Sequence, residues 1–523
     1  MLTSLIAAMI AQTPPGLGPV VQPLNDTPAV KRSQNKKSGS TTISAQATGR
    51  PIKGIAFKGV DAPAEVAAAA NAFIGRPATR EVLLELAGAL SRAYEKTDIA
   101  LYTVAIPEQD FAEDTVVVML SEGSIDRVAL KNGKAGAFPL LTSTAQPLVG
   151  QKPLSRGRYE RQLSLMQAIP GLKFDTQFAN PDGYDTLTLT LDPKQKRSRF
   201  SLGVNNWGPD LVGDVVIQGS ADFYRLLQDG DQLNFSGVAT RDLKRYRQLG
   251  ASYGTPIGAS GLRLSASGAW VQTKPRRTNI SGTAKLASVG LSYPILRRFK
   301  RIADVSFTID GIDSRNAAFG NVIASENTRA ARLGASYASA DDKQQLSGQI
   351  VVSRGLGILG ARTIEPISQR KFMKVSGNAT VERNFGKRVA ARAHVEGQLS
   401  RSRLPAAELF AAGGPSVGRA FDNALLTGDR GVGGFVELAY RPVTAANFAK
   451  SEVYLFADGA KLATERRGIF PGQRFDLASA GGGVRVRLKD LIELGLEGAK
   501  VVDRPYPGYS DDQRVSFYYK LSL

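Results

Sequence analysis

The chain has 523 residues, a formal net charge of +20, no cysteine and a single histidine, His394. These counts exclude disulfides, thiolate metal sites and cysteine nucleophiles, and they leave too little histidine for a His-based metal centre or a Ser-His-Asp triad. Since no paired-carboxylate motif stands out either, we expect no enzymatic activity, no catalytic or metal-ligating residues and no cofactor.

The positive charge is concentrated in the C-terminal part of the chain. Residues 50–196 carry 17 basic and 17 acidic residues, whereas residues 197–523 carry 46 basic and 29 acidic residues. Such a surplus often indicates a polyanionic partner, and the basic runs KPRR and RRFKR could bind nucleic acid in a soluble protein.

The N-terminal 49 residues do not read as a folded domain. Residues 1–11, MLTSLIAAMIA, resemble the core and cleavage region of a secretory signal without its basic start, and the alternative is a frayed N-terminus. Residues 12–49 are rich in Pro, Gly, Ser, Thr, Gln and Lys without apolar periodicity, so we predict a disordered linker. No interior stretch approaches the roughly 18 apolar residues that a membrane-spanning helix needs.

Two α/β modules follow, at residues 50–123 and 124–196. In the first, PIKGIAFKGV predicts a strand, a helix ends at Gly75, Thr79 caps a second helix, and two strands close the unit. The second segment repeats this β-α-α-β-β order, with a helix that aligns Tyr159, Leu163 and Met166 and ends before Pro170. Repetition at this period predicts tandem copies of one module.

Two passages carry a family resemblance. PEQDFAEDTVVVMLSEGSIDRV (107–128) resembles the junction between polypeptide-transport-associated (POTRA) domains, and RQLSLMQAIPGLKF resembles the helix end of the second such domain. Both are similar to the two-partner-secretion transporters of Gram-negative outer membranes, which export haemolysins and filamentous adhesins. Asp114 stands where that family usually has glycine.

From residue 197 to residue 523 the pattern is alternation of apolar and polar side chains. RFSLGVNNW, LRLSASGAW, VRVRLKD and LIELGLEGA each alternate in this way, and charged residues at this density would be intolerable in a sandwich core. They fit a transmembrane antiparallel β-barrel with one face on lipid and the other on a water-filled lumen. We count about 16 such segments. A soluble all-β domain is the alternative.

The chain end and the basic runs are consistent with a barrel. VSFYYKLSL places Phe517, Tyr519, Leu521 and Leu523 on one face and resembles a closing strand read by the barrel-assembly machinery, although most relatives end in Phe. In a barrel the two basic runs would lie in turns or meet anionic lipopolysaccharide, so no nucleic-acid partner is expected.

The stretch GGPSVGRAFDNALLTGDRGVGGFVELAY, residues 413–440, resembles the inward-folded loop of this transporter superfamily and the strand that follows it. We place the loop itself at residues 402–430. Arg419 and Phe421 match the arginine and the aromatic of its V-R-G-[YF] motif, with Gly418 before the arginine. A guanidinium inside a barrel needs a carboxylate, and EVYLFADGA resembles the F-x-D motif that supplies it. The expected loop latch is therefore a bidentate Arg419–Asp458 pair, with Glu437 as a second possible partner; its residues are Gly418, Arg419, Phe421, Glu437, Phe456 and Asp458.

The resemblance implies a protein-exporting channel in the outer membrane of a Gram-negative bacterium, with the two modules in the periplasm. Its partner would be a large secreted protein in unfolded form, exported without nucleotide hydrolysis. The basic surplus of the C-terminal region predicts a basic lumen face. The alternative is a factor that inserts other barrels into the membrane; a passive porin would lack the two modules. Relatives commonly carry a plug helix, for which residues 12–49 show no pattern.

Overall fold

The computed structural model describes residues 39–45, 48–109, 114–131, 136–179, 186–319, 321–443, 447–448 and 450–523. The predicted signal segment (1–11) and the linker as far as residue 38 lie outside the described residues. Contacts divide the chain into two units, one composed mainly of residues before 197 and the other of residues from 197 onward.

The first module contains the predicted β-α-α-β-β order. Its elements are β2 (Gly54–Gly59), α1 (Ala64–Ala70), α2 (Arg80–Tyr94), β3 (Tyr102–Ile106) and β4 (Thr115–Glu122). The Thr79 hydroxyl accepts a hydrogen bond from the Val82 N–H and so caps α2. The apolar stripe of α2 packs on the sheet, since Leu83, Leu86 and Leu90 are fully buried.

The linker prediction was wrong for residues 39–43. Gly39–Ile43 form a strand, β1, which pairs in parallel with β3. The resulting sheet order is β1-β3-β4-β2. Thr41, Thr42 and Ile43 are β-branched residues, and the edge of β3 supplies the backbone partners that a short polar segment cannot find within itself. Ile43 also packs against the module core.

The second module repeats the order of the first. It comprises β5 (Ser124–Leu130), α3 (Pro139–Ala145), α4 (Arg156–Gln167), β6 (Leu172–Ala179) and β7 (Thr186–Gln195), with sheet order β5-β7-β6. The predicted inner positions of α4, Tyr159, Leu163 and Met166, are buried. Of the helices in the described part of the chain, none combines the length and the apolar character that crossing a membrane requires.

Two residues of the PEQ…SEG passage have clear structural tasks. The Gln109 side chain accepts a hydrogen bond from the Val117 N–H at 2.7 Å and donates to the Val117 carbonyl at 2.9 Å, which extends the pairing of β4 through a side chain. Asp114 has φ +54°, the left-handed conformation that glycine adopts most easily. The Lys53 ammonium, 2.9 Å away, holds the Asp114 carboxylate and keeps its pKa below the ordinary value. Aspartate therefore adopts here the backbone conformation that glycine favours.

The second unit is a closed antiparallel barrel, and it confirms the predicted fold class. Sixteen strands close the ring in the part of the chain that the structure describes. The first of them, β8, pairs with the second, β9, and with the last, β25. The barrel strands are β8 (Ser198–Asn205), β9 (Val216–Tyr224), β10 (Gln232–Thr240), β11 (Tyr246–Pro256), β12 (Arg263–Thr273), β13 (Ile280–Arg297), β14 (Arg301–Ala318), β15 (Asn321–Ala340), β16 (Gln344–Gly355), β17 (Met373–Phe385), β18 (Val389–Ser400), β21 (Arg430–Tyr440), β22 (Glu452–Ala463), β23 (Arg474–Leu488), β24 (Ile492–Asp503) and β25 (Gln513–Ser522).

The two faces of the barrel follow the predicted alternation. Large apolar side chains are exposed on the outer face all around the ring, among them Leu202, Leu249, Ile350, Leu399, Val436, Leu455, Leu496 and Phe517. Their neighbours along each strand point into the lumen and are mostly polar or charged. An outer surface this apolar is stable against hydrocarbon and unfavourable in water.

Candidate functional site

A long connection between β18 and β21, the eleventh and twelfth barrel strands, lies against the inner wall of the barrel. This inward loop, residues 401–429, contains a small hairpin of β19 (Phe410–Ala412) and β20 (Leu426–Gly428). Its apolar side chains form one buried cluster with lumen-facing residues of β22 and β23. The members from the loop are Ala412, Val417, Ala420, Phe421 and Leu426, and those from the two strands are Tyr454, Phe456, Ala460, Leu462 and Leu477.

The backbone at the loop tip fits the small residues in its sequence. Gly418 has φ +83°, and a Cβ atom there would lie 2.9 Å from the Leu477 side chain. Phe421 is fully buried and packs on Tyr509, with ring centroids 5.5 Å apart. Glycine before the arginine therefore allows the close approach to the wall, and the aromatic after it anchors the tip.

The Arg419 side chain, 4% exposed, enters a site that we call the Arg419 cradle. The cradle consists of Phe435, Glu437, Phe456, Asp458 and Glu497. The guanidinium Nη1 donates to Glu437 at 3.2 Å and to Glu497 at 3.0 Å. Its Cζ lies 4.2 Å from the ring centre of Phe456 and 4.6 Å from that of Phe435. Three carboxylates and two aromatic faces thus surround one cation.

Asp458 is present in the site, but the predicted bidentate pair with Arg419 is wrong. The Arg419 backbone N–H donates to Asp458 Oδ2 at 3.0 Å, while the guanidinium Nε stays 3.8 Å from the same oxygen. The other carboxylate oxygen accepts the Ser479 hydroxyl at 2.5 Å. Asp458 therefore fixes the loop backbone, and the guanidinium hydrogen-bonds to Glu437 and Glu497 instead.

Sequence reasoning missed Glu497 and Phe435. Phe435 lies within the stretch that resembles the inward loop, and Glu497 lies in the alternating segment LIELGLEGA, but neither has a local signal that links it to Arg419 in the sequence. Barrel register brings them in: Phe435 is paired with Asp458 across β21 and β22, whereas Glu497 comes from β24, two strands further. The Tyr454 hydroxyl also donates to Glu497, at 2.8 Å.

Glu437 connects the cradle to a ladder of paired charges on the lumen wall. It accepts hydrogen bonds from Arg392 at 2.6 Å and from Arg485 at 2.8 Å, and both arginines also reach Glu452. Arg392 further contacts Glu382. The expected basic lumen face is therefore wrong for this part of the wall. The cations that face inward here are neutralised by neighbouring carboxylates, because unpaired charges at these half-buried positions would be costly.

The root of the inward loop is held by a second group of charges, which the sequence did not point to. Glu408, 1% exposed, contacts Arg332 of β15 at 2.6 Å and Lys374 of β17 at 2.8 Å. Arg332 is also paired with Asp310 on β14. The Lys374 ammonium donates in addition to the Glu408 carbonyl, at 2.9 Å. The loop is thus fixed to the barrel wall at its root as well as at its tip.

Asp429 closes the loop at its other end. Its fully buried carboxylate accepts hydrogen bonds from the backbone N–H groups of Leu404 and Glu465 and from the Arg467 guanidinium, each at 2.7 Å. Leu404 lies at the start of the inward loop, and Arg467 lies in the connection between β22 and β23. One carboxylate therefore joins both ends of the inward loop to the neighbouring connection.

Metal chemistry has no candidate in this arrangement. Across the residues that the structure describes, no group of three or more His, Asp or Glu side chains is placed to hold a metal ion. The carboxylates of the cradle are directed at a guanidinium. What the arrangement can do is hold or release a loop.

Comparisons with known proteins agree with this architecture. Residues 183–486, more than half of the chain, match the profile of a family described as haemolysin secretion/activation protein ShlB/FhaC/HecB. No curated protein matches the sequence.

Solved structures share the fold at low sequence identity. CdiB from Escherichia coli is 17% identical, with a TM-score of 0.68 over 90% of either chain. CdiB from Acinetobacter baumannii is 19% identical, with a TM-score of 0.63 over 100% of this chain and 96% of that one. BamA from Haemophilus ducreyi lacking POTRA domains 1–3 is 13% identical, with a TM-score of 0.57 over 90% of this chain and 99% of that one.

Proposed function

The chain belongs to the haemolysin secretion/activation family, and on that premise we propose that it is an outer-membrane channel that exports a large, unfolded partner protein to the cell surface. The observation that carries the proposal is a loop buried inside a closed barrel, with Arg419 held in the cradle at its tip and Glu408 held by wall cations at its root. Such a loop sets a closed resting state, and its release opens a conduit. Movement through the conduit requires no nucleotide, because the exported chain folds outside.

The length of the connections supports a proposed orientation in the membrane. The short connections 298–300, 341–343, 386–388 and 489–491 share one end of the barrel, whereas the long connections 356–372 and 401–429 share the other. In bacterial barrels the short turns face the periplasm. We therefore place the N-terminal modules in the periplasm and the root of the inward loop toward the cell surface.

The partner is recognised by the N-terminal modules. Among the described strands of the two modules, β1, β2, β5 and β6 lie at sheet edges, so they offer backbone groups to which an extended polypeptide can add as a further strand. Outer-membrane lipid covers the apolar outer face. Lipopolysaccharide meets the basic run at 274–277, which lies at the end with the long connections; the run at 297–301 lies at the opposite end.

The decisive experiment compares culture supernatants and outer membranes of strains with and without the gene. Loss of one large secreted protein supports export. The alternative is a barrel-insertion factor, which the likeness to BamA favours, and broad loss of outer-membrane barrels would support it. Complementation with Arg419→Ala tests the loop: if this variant inserts and secretes normally, the loop has no role in export.

A further inference from the structure

The Arg419 cradle is built entirely by the barrel wall. Phe435 and Glu437 belong to β21, Phe456 and Asp458 to β22, and Glu497 to β24. Each lies at a lumen-facing position of a strand that is hydrogen-bonded on both sides. The loop contributes the Arg419 guanidinium and the backbone N–H groups of Gly418 and Arg419. When the loop is displaced, the cradle therefore persists as a formed site that faces the lumen.

The empty cradle is short of positive charge. Glu437 retains Arg392 and Arg485, but Asp458 and Glu497 have no Lys or Arg nitrogen other than those of Arg419 within 4.0 Å among the described residues. Asp458 would keep only the Ser479 hydroxyl and Glu497 only the Tyr454 hydroxyl as side-chain donors. Removing one partner from a buried ion pair leaves an uncompensated charge, which is strongly unfavourable. The two carboxylates of the vacated site therefore favour another cation.

The shape of the cradle selects the kind of cation. Two aromatic rings lie 4.2 and 4.6 Å from the carbon of the guanidinium, and two carboxylates, those of Glu437 and Glu497, accept hydrogen bonds from its Nη1. A flat, delocalised and weakly hydrated guanidinium stacks on such rings and donates to several acceptors at once, whereas a compact ammonium is strongly hydrated and does neither as well. The geometry discriminates between arginine and lysine.

Building on the export function proposed above, we propose that the cradle is a guanidinium-binding site in its own right, and that arginine side chains of the exported polypeptide occupy it while the loop is displaced. Arg419 then acts as the resident occupant with which the passing chain competes. Each passing arginine compensates Asp458 and Glu497 in turn, so the open state does not leave them unpaired. The exported chain is thereby recognised inside the barrel by one residue type rather than by a sequence.

The first test needs no export. The full chain carrying Arg419→Ala is purified in detergent, and its thermal unfolding is followed with ethylguanidinium or ethylammonium at equal concentrations. Ethylguanidinium should raise the unfolding temperature of the variant, because a ligand bound to the folded state stabilises it. Its half-saturating concentration should be about tenfold lower than that of ethylammonium. The intact chain, whose cradle is filled, should show neither effect.

Two further variants locate the site. Glu497→Gln and Phe456→Leu, each combined with Arg419→Ala, should weaken the response to ethylguanidinium, and Phe456→Leu should also reduce the preference over ethylammonium. An equal response to the two cations, an equal response of the intact chain, or a response unchanged by both variants would overturn the proposal. If Arg419→Ala does not fold alone, refolding yield replaces unfolding temperature. Recovery of refolding with ethylguanidinium but not with ethylammonium supports the site. Recovery with both cations, or with neither, refutes it.

The second test addresses the natural occupant. Arg419→Ala channels in a planar bilayer are exposed to an arginine peptide and to a lysine peptide of the same length. Longer current blocks by the arginine peptide, abolished by Glu497→Gln, support its assignment as the occupant. Equal blocking by the two peptides would refute that assignment even if the first test succeeds. Neither readout requires secretion, so the failure of this inference is distinguishable from failure of the proposed export function.

Discussion

Replacing Glu408 by glutamine tests whether the root of the inward loop is held by charge. The substitution preserves shape and removes the negative charge that Arg332 and Lys374 share at 2.6 and 2.8 Å. Both cations belong to the barrel wall, so they remain behind in the folded protein. We expect the root to detach more often and the barrel itself to stay closed.

The size of the effect follows from which partners survive. Breaking a buried ion pair by removing one member costs about 3–5 kcal/mol. Arg332 keeps Asp310, and the Lys374 ammonium keeps the Glu408 carbonyl and the Gln398 side chain. We therefore take the lower limit, about 3 kcal/mol, which raises the detached fraction of the root roughly 150-fold.

The assay uses the absence of native cysteine. Spin labels on cysteines introduced at Ala411 of the loop hairpin and at Ser236 on β10 report the distance between the loop and the opposite wall. Glu408→Gln should broaden that distance distribution. Glu382→Gln is the matched control, since Glu382 is paired with two lumen arginines, Arg392 and Arg441, and its side chain does not hold the loop. An unchanged distribution, or equal broadening in the control, would refute the reasoning.

The remaining predictions concern other parts of the chain. Arg419→Lys keeps the charge but replaces the planar group that stacks on two rings, so the amount of secreted partner should lie between that of the intact chain and that of Arg419→Ala. Secretion equal to that of the intact chain would contradict the argument. Asp114→Val should destabilise its turn by about 1–2 kcal/mol, because φ at this position is +54°, whereas Asp114→Gly should be tolerated. Hydrogen exchange of β4 compares the two variants. Equal protection in both would contradict the argument from backbone strain. Gly481→Ala should impair barrel assembly, since the added Cβ would lie 2.0 Å from the Gly498 carbonyl oxygen. Gly498→Ala should not, because a Cβ there meets nothing within 4 Å. Heat-dependent gel migration compares the two variants, and the same migration for both would refute the steric argument.

Much of the architecture could be predicted because its signals are local. The two-residue alternation from residue 197 onward depends only on which face of a strand each side chain occupies, and Leu202, Leu496 and Phe517 lie on the outer face as expected. The order of helices and strands in the modules followed from caps and stops such as Thr79 and Gly75, which act within one turn.

The details of the site could not be predicted because they depend on register. A shift of one residue in pairing exchanges the two faces of a strand, so nothing in the sequence alone places Glu497 beside Arg419, 78 positions away. The contact of Glu408 with Arg332, 76 positions apart, has the same origin. For β1 the reason differs: Gly39–Ile43 become a strand through the edge of β3, a partner that has no counterpart in their own pattern.

The charge ladder of the lumen wall has a consequence for small ions. Where Arg392 and Arg485 already face Glu437 and Glu452, the wall presents alternating dipoles, whose potential decays within a few ångströms. This part of the wall therefore contributes little to any preference between potassium and chloride, and a preference in an open barrel would come from charged groups elsewhere in the lumen.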